Sequence, residues 1–92
     1  MEKFTFITEY KKGTYIRQVI TDTLSEAIFM WSNYILLNCS IIGMTEQESK
    51  DFFKELNKDF NTPSKISEVD NVWCIYLKIG RNKLLTNIVM TK

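Results

Sequence analysis

A chain of 92 residues with 45% hydrophobic and 25% charged side chains has room for one domain, residues 1–92, around a single modest core, and is too apolar for intrinsic disorder. Its formal charge of +1 excludes strong bulk attraction to nucleic acid or to an anionic membrane, so partners must be argued from local patches. The absence of histidine removes the commonest general base and the commonest metal ligand together.

The opening Met1-Glu2-Lys3-Phe4-Thr5-Phe6 alternates polar and apolar residues without an apolar run of signal-peptide length, so the expected location is the cytoplasm. Phe4 to Tyr10 reads as a strand, Lys11-Lys12-Gly13 as a three-residue hairpin loop with Gly13 left-handed, and Thr14 to Ile20 as the return strand. Setting Tyr10 opposite Thr14 puts Phe4, Phe6, Thr8, Ile16 and Ile20 on one face. Thr5, Ile7, Glu9, Tyr15, Arg17 and Val19 then share the other, and the Phe-rich face is expected to be the core.

Thr23-Leu24-Ser25-Glu26 fits a capping box and predicts a helix whose inner stripe is Leu24, Ala27, Ile28, Trp31 and Ile35. Phe29, Met30, Leu36 and Leu37 add apolar surface on its other sides. The densest apolar region, Tyr34 to Ile42, is broken by Asn38 and Ser40 and falls short of the roughly 20 residues of a membrane span. Gly43 can end it, and Thr45-Glu46-Gln47-Glu48 repeats the capping pattern for a second helix of about 14 residues that buries Phe52, Phe53 and Leu56, with Phe60 near its end. Its outer faces carry the pairs Glu46/Lys50, Asp51/Lys54 and Glu55/Lys58.

Asn61-Thr62-Pro63-Ser64 reads as a linker leading irregularly to Asp70. Alternation resumes at Val72, with Trp73, Ile75, Leu77 and Ile79 inward and Val72, Cys74, Tyr76 and Lys78 outward. Gly80-Arg81-Asn82-Lys83 reads as the turn and Leu84 to Thr91 as the last strand. Pairing Ile79 with Leu84 adds Leu84, Ile88 and Met90 to the core and leaves Leu85, Asn87 and Val89 opposite.

The order strand, strand, helix, helix, strand, strand predicts an α+β fold, ββααββ, with a four-stranded antiparallel sheet and both helices packed on one face. If the first strand lies antiparallel to the last, both hairpin turns emerge at one end, and Lys11, Lys12, Arg81 and Lys83 form a basic cluster suited to an anion or to nucleic acid. The uncovered sheet face is the expected protein interface, through Ile7, Tyr15, Arg17, Val19, Tyr76, Lys78 and Leu85, toward a foreign protein or a second copy. The alternative is RNA, with Tyr15 and Tyr76 stacking bases and Arg17 and Lys78 holding phosphates. Were Phe29, Met30 and Leu36 to lie outside rather than under the second helix, the interface would move to the first helix, as a helix-to-helix dimer.

Enzymatic chemistry is not expected. The acidic residues are scattered, the three glycines are isolated, and no cofactor or metal motif is visible. Cys39 and Cys74 lack C-x-x-C spacing and read as reduced structural thiols.

Tyr10-Lys11-Lys12-Gly13-Thr14-Tyr15 followed by Thr23-Leu24-Ser25-Glu26-Ala27 resembles the strand, hairpin, strand, helix opening of HicB-type antitoxins. The resemblance covers the first third of the chain and implies a small cytosolic bacterial protein that neutralises a toxin by binding it. The Pro- and Gly-containing segment that such antitoxins usually have before the helix is absent, and the second helix and closing hairpin depart from the pattern. The whole chain is similar in character to small immunity-type bacterial proteins.

Overall fold

The computed structural model describes residues 1–58, 64–65 and 70–91. Alternating sequence becomes strand because successive side chains point to opposite faces. The elements run β1 (Glu2–Tyr10), β2 (Gly13–Thr21), α1 (Leu24–Leu37), a 3-10 turn (Cys39–Ile42), α2 (Glu46–Leu56), β3 (Ser64–Lys65), β4 (Val72–Ile79) and β5 (Asn82–Thr91). One antiparallel sheet results, in the order β2-β1-β5-β4-β3, with both helices on one face. This is the expected ββααββ α+β arrangement, and the two-residue β3 adds a short edge beside β4. Phe60 and most of the linker with Pro63 lie outside the described residues.

The first hairpin departs from expectation by one residue. Tyr10 pairs with Gly13, not Thr14, so Lys11 and Lys12 alone form the turn, at φ 48° and 68°. Positive φ at both positions is what a two-residue type I′ turn needs to match strand twist. Gly13 is therefore not the left-handed residue. The Tyr15 ring lies across it, with ring carbons 2.6 and 2.8 Å from where a β-carbon would stand, so any other residue here would have to displace that ring.

A one-residue slip exchanges the faces of a strand. Phe4 now opposes Val19, Phe6 opposes Arg17 and Thr8 opposes Tyr15, which puts Tyr15, Arg17 and Val19 on the helix side. Ile16 and Ile20, expected in the core, stand on the open face at 67% and 58% exposure. The second hairpin slips by two residues, Ile79 opposing Asn82 across Gly80-Arg81, and an even slip preserves the faces. Ile75, Leu77, Ile79, Leu84 and Ile88 are accordingly buried.

Trp31 of α1 is the centre of the core. Its ring stacks on Phe6 of β1 at 4.9 Å and meets Phe52 of α2 edge-on at 5.4 Å, so one side chain joins sheet and both helices. All three are essentially fully buried, each contributing roughly 2–3 kcal/mol by burial. Between the central strands, the hydroxyls of Thr8 and Thr86 satisfy each other at 3.0 Å inside the core.

The two helix starts differ. At α2 the box is complete: the Thr45 hydroxyl accepts from the Glu48 amide at 3.1 Å, and the Thr45 amide donates to the Glu48 carboxylate at 2.9 Å. At α1 only half of it forms. The Thr23 hydroxyl accepts from the Glu26 amide, but the Glu26 carboxylate takes the hydroxyls of Thr21 and Thr23 instead of the Thr23 amide, because Thr21 ends β2 on the helix side. The eleven residues of α2 are fewer than expected, since Asn57 ends the helix and bonds back to the Phe53 carbonyl at 2.8 Å. Gly43, at φ 75°, ends the 3-10 turn as expected.

Lys12 holds a left-handed conformation that costs a side-chain-bearing residue about 1 kcal/mol and glycine nothing. Lys12→Gly should therefore raise the urea midpoint, adding ~0.5–1 kcal/mol with an unchanged slope. A lowered midpoint would mean that the turn is not of this type.

Candidate functional site

The residues expected to form one interface divide between two surfaces. Ile7, Tyr76, Lys78 and Leu85 lie on the open sheet face, where Tyr76 opposes Leu85 and is 51% exposed. Tyr15, Arg17 and Val19 lie on the helix side, for the reason of register given above. Val19 is buried under the helices, and the Arg17 guanidinium sits 3.8 Å over the ring of Tyr34 in α1. The open face keeps Val72, Cys74, Asn87 and Val89, all half-buried, beside its exposed Ile16 and Ile20.

The two long hairpin turns do emerge at one end, because β1 runs antiparallel to β5. Lys11, Lys12 and Lys83 border a shallow depression floored by Tyr76 and Leu85, while Arg81 sits in the neighbouring turn. The four cations are not equivalent. The Lys11 ammonium is committed inward, 2.7 Å from the Glu48 carboxylate and 3.2 Å from the Gly43 carbonyl.

Glu48 gathers donors from three separate parts of the chain. Its Oε1 accepts from Lys11 and from the Thr45 amide, and its Oε2 accepts from the Tyr10 hydroxyl at 2.8 Å and the Asn82 amide group at 3.2 Å. The Lys11 hydrogen bond, then that of the Thr45 amide, hold its carboxyl down at about 2 against the opposing effect of burial. Burial, followed by the bond to Glu48, pushes the Tyr10 hydroxyl well above its ordinary range. This is a structural clamp whose groups are all occupied. Sequence reasoning found its capping half, while Tyr10, Lys11 and Asn82 are 34 to 38 positions away and gave no local signal.

The apolar surface that lacks cover lies on α1. Phe29, Met30, Leu36 and Leu37 are 65%, 48%, 37% and 82% exposed, and Ile41 in the following turn is 56% exposed. Glu26 is the only charged residue in α1, and it is engaged by Thr21 and Thr23. By contrast α2 carries Glu46, Glu48, Lys50, Asp51, Lys54 and Glu55. The outer side of α1 thus lacks the charge that normally marks a solvated helix face.

Beside this stripe, a cleft of about 300 Å³ separates α1 and the 3-10 turn from β2. Trp31, Ile35 and Ile42 form its apolar floor, and Tyr15, Arg17 and Tyr34 its polar wall. The tyrosine hydroxyls make no hydrogen bond among the described residues. No helix among the described residues is long and apolar enough to cross a membrane. Both cysteines are free thiols, and burial raises the Cys74 thiol above its usual value.

Comparison with protein-family models, with curated proteins and with solved structures finds no match to this chain.

A carboxyl held below its unfolded value stabilises the fold above pH ~4.5, and that contribution is lost as pH falls toward 2. Glu48→Gln should cost about 1–3 kcal/mol near neutrality, and the gap from the parent chain should close between pH ~4.5 and ~2 as the parent's carboxyl protonates. Denaturant melts over that pH range test this, and a gap independent of pH would refute the ionised clamp.

Proposed function

We propose that the protein is a non-enzymatic interaction module that self-associates through the outer face of α1. The observation that supports this reading is the uncharged stripe of Phe29, Met30, Leu36 and Leu37, continued by Ile41. These five side chains offer roughly 500 Å² of apolar surface per copy, at the upper end of what a soluble monomer leaves uncovered. That is more than half of the ~800 Å² per partner in a stable interface, before flanking contacts are added.

A second copy is the occupant that fits this stripe. Two α1 helices related by a two-fold axis present identical surfaces to each other, so apolar residues meet apolar residues, and the charge at the end of that face, Glu26, already accepts from Thr21 and Thr23. A helix built to lie on anionic lipid would carry lysine or arginine along its polar face, and α1 carries neither. Unpaired thiols at Cys39 and Cys74 suit a reducing cytoplasm. The RNA alternative draws on Tyr15, Tyr76, Arg17 and Lys78, and these do not share a face.

Light scattering across a concentration series checks the reading. The parent chain should show twice the monomer mass, and Leu37→Glu, at the most exposed large hydrophobic of α1, should weaken association at least ~100-fold while leaving the fold intact by circular dichroism. Tyr76→Ala should leave the dimer intact. A strictly monomeric parent chain, or a dimer dissolved by Tyr76→Ala but not by Leu37→Glu, would move the interface off α1.

A further inference from the structure

β2 is the terminal strand of the sheet, and its nine residues pair with β1 alone. In a two-residue hairpin, the residues flanking the turn exchange both backbone hydrogen bonds, so bonding toward the partner alternates from there. Gly13, Tyr15, Arg17, Val19 and Thr21 bond to β1, which leaves Thr14, Ile16, Gln18 and Ile20 directing their N–H and C=O groups away from the sheet. None of these groups has a partner among the described residues.

Soluble proteins usually defend such an edge with proline, a bulge, very short length or an inward-pointing charge. β2 has only the last, in Arg17: its register is continuous from Gly13 to Thr21, and its open side bears Ile16 and Ile20. The cleft runs along the same edge, because Thr14 and Ile16 line it together with Tyr15 and Arg17. A strand laid on β2 would therefore direct alternate side chains into the cleft. Its floor is apolar, and one wall holds the Arg17 cation, stacked on Tyr34 but in no ion pair among the described residues.

We infer that the β2 edge and its cleft bind an extended segment of a partner protein by strand addition, taking an apolar side chain on the cleft floor and, two residues along, a carboxylate on Arg17. Backbone pairing supplies affinity in this mode of recognition, and pockets for alternate side chains supply specificity. Charge selects the partner. A second copy's β2 carries no carboxylate between Gly13 and Thr21, so it cannot satisfy Arg17. The site shares Ile41 with the proposed dimer face, since that side chain both lines the cleft and continues the stripe of α1, but its strand edge and Arg17 lie outside that face.

The probe is the blocked peptide Thr-Val-Thr-Phe-Thr-Glu-Thr-Val, whose Phe and Glu share a face when extended. It is titrated into the isotope-labelled full chain and into Leu37→Glu, so that loss of the dimer and loss of strand binding are read separately. Saturable binding should slow hydrogen exchange at the amides of Thr14, Ile16, Gln18 and Ile20. Arg17→Gln, or Gln in place of the peptide's Glu, should each weaken binding about tenfold, and the two together no further. Gln18→Pro, which removes an outward N–H and the side-chain bond to Thr5 but no backbone bond of the β1 ladder, should weaken it at least ~10-fold with the fold intact by circular dichroism, whereas Gln18→Ala, which loses only the bond to Thr5, should not.

Three outcomes overturn the inference. One is no saturable binding up to millimolar peptide, and another is binding that leaves those four amides unprotected. The third is protection that grows with the concentration of the chain alone, which would assign the edge to a second copy.

Discussion

The carboxylate of Glu48 is the point on which the sheet's geometry depends. It lies at the start of α2, completes the Thr45 cap, and accepts from Tyr10, Lys11 and Asn82, residues that flank or form the two long hairpin turns. A short turn built from two lysines at positive φ is intrinsically unfavourable. Anchoring Lys11 to Glu48 and to the Gly43 carbonyl gives that turn a tertiary reason to exist. The turn then fixes the register of β2, and register decides which half of its side chains meets the helices.

That choice shapes the exterior. With Tyr15, Arg17 and Val19 turned inward, the strand's isoleucines are left outside. Tyr15 stays half-buried and Arg17 exposed, and both line the cleft beside α1. The Arg17 to Tyr34 stack is the contact that spans the gap. The cleft is therefore a direct consequence of the slip by one residue. In the alternative register, Ile16 and Ile20 would fill the same space as ordinary core.

Most of the architecture was legible in the sequence, because long alternating segments, two capping boxes and Gly43 are local signals. Trp31 in the core and the inner stripe of α1 followed from helical spacing alone. The faces of β4 and β5 were also legible, since an error of two residues in the turn leaves parity unchanged. The face of β2 was not. Its sequence alternates Tyr15, Arg17 and Val19 with Ile16, Gln18 and Ile20, of which the second set is the more apolar and so points to the wrong face, and glycine usually marks the left-handed position that Lys12 holds here. The clamp that decides between the two sets joins residues more than 30 positions apart, beyond any reading of local pattern. The residues of the expected interface divide between two surfaces for the same reason: three of the seven belong to β2.

The distribution of charge separates the two helices more sharply than their burial does. Both pack one side on the same sheet, yet α2 presents paired acids and bases to solvent, including the Glu55 to Lys58 bridge at 2.8 Å, while α1 presents Phe29, Met30, Leu36 and Leu37. Packing cannot account for that contrast, because the residues in question point away from the core. Helix propensity cannot either, since Phe is a weaker helix former than the Lys or Glu that would serve equally well at an exposed site. Exposed apolar residues also cost solubility, a cost that the proposed self-association through α1 would offset. The neighbouring edge of β2 has a comparable feature, where the N–H and C=O groups of four residues and the Arg17 cation have no hydrogen-bond or ion-pair partner among the described residues. The two features lie side by side because α1 is packed over the edge strand, and this concentrates the uncovered chemistry of the domain on one flank.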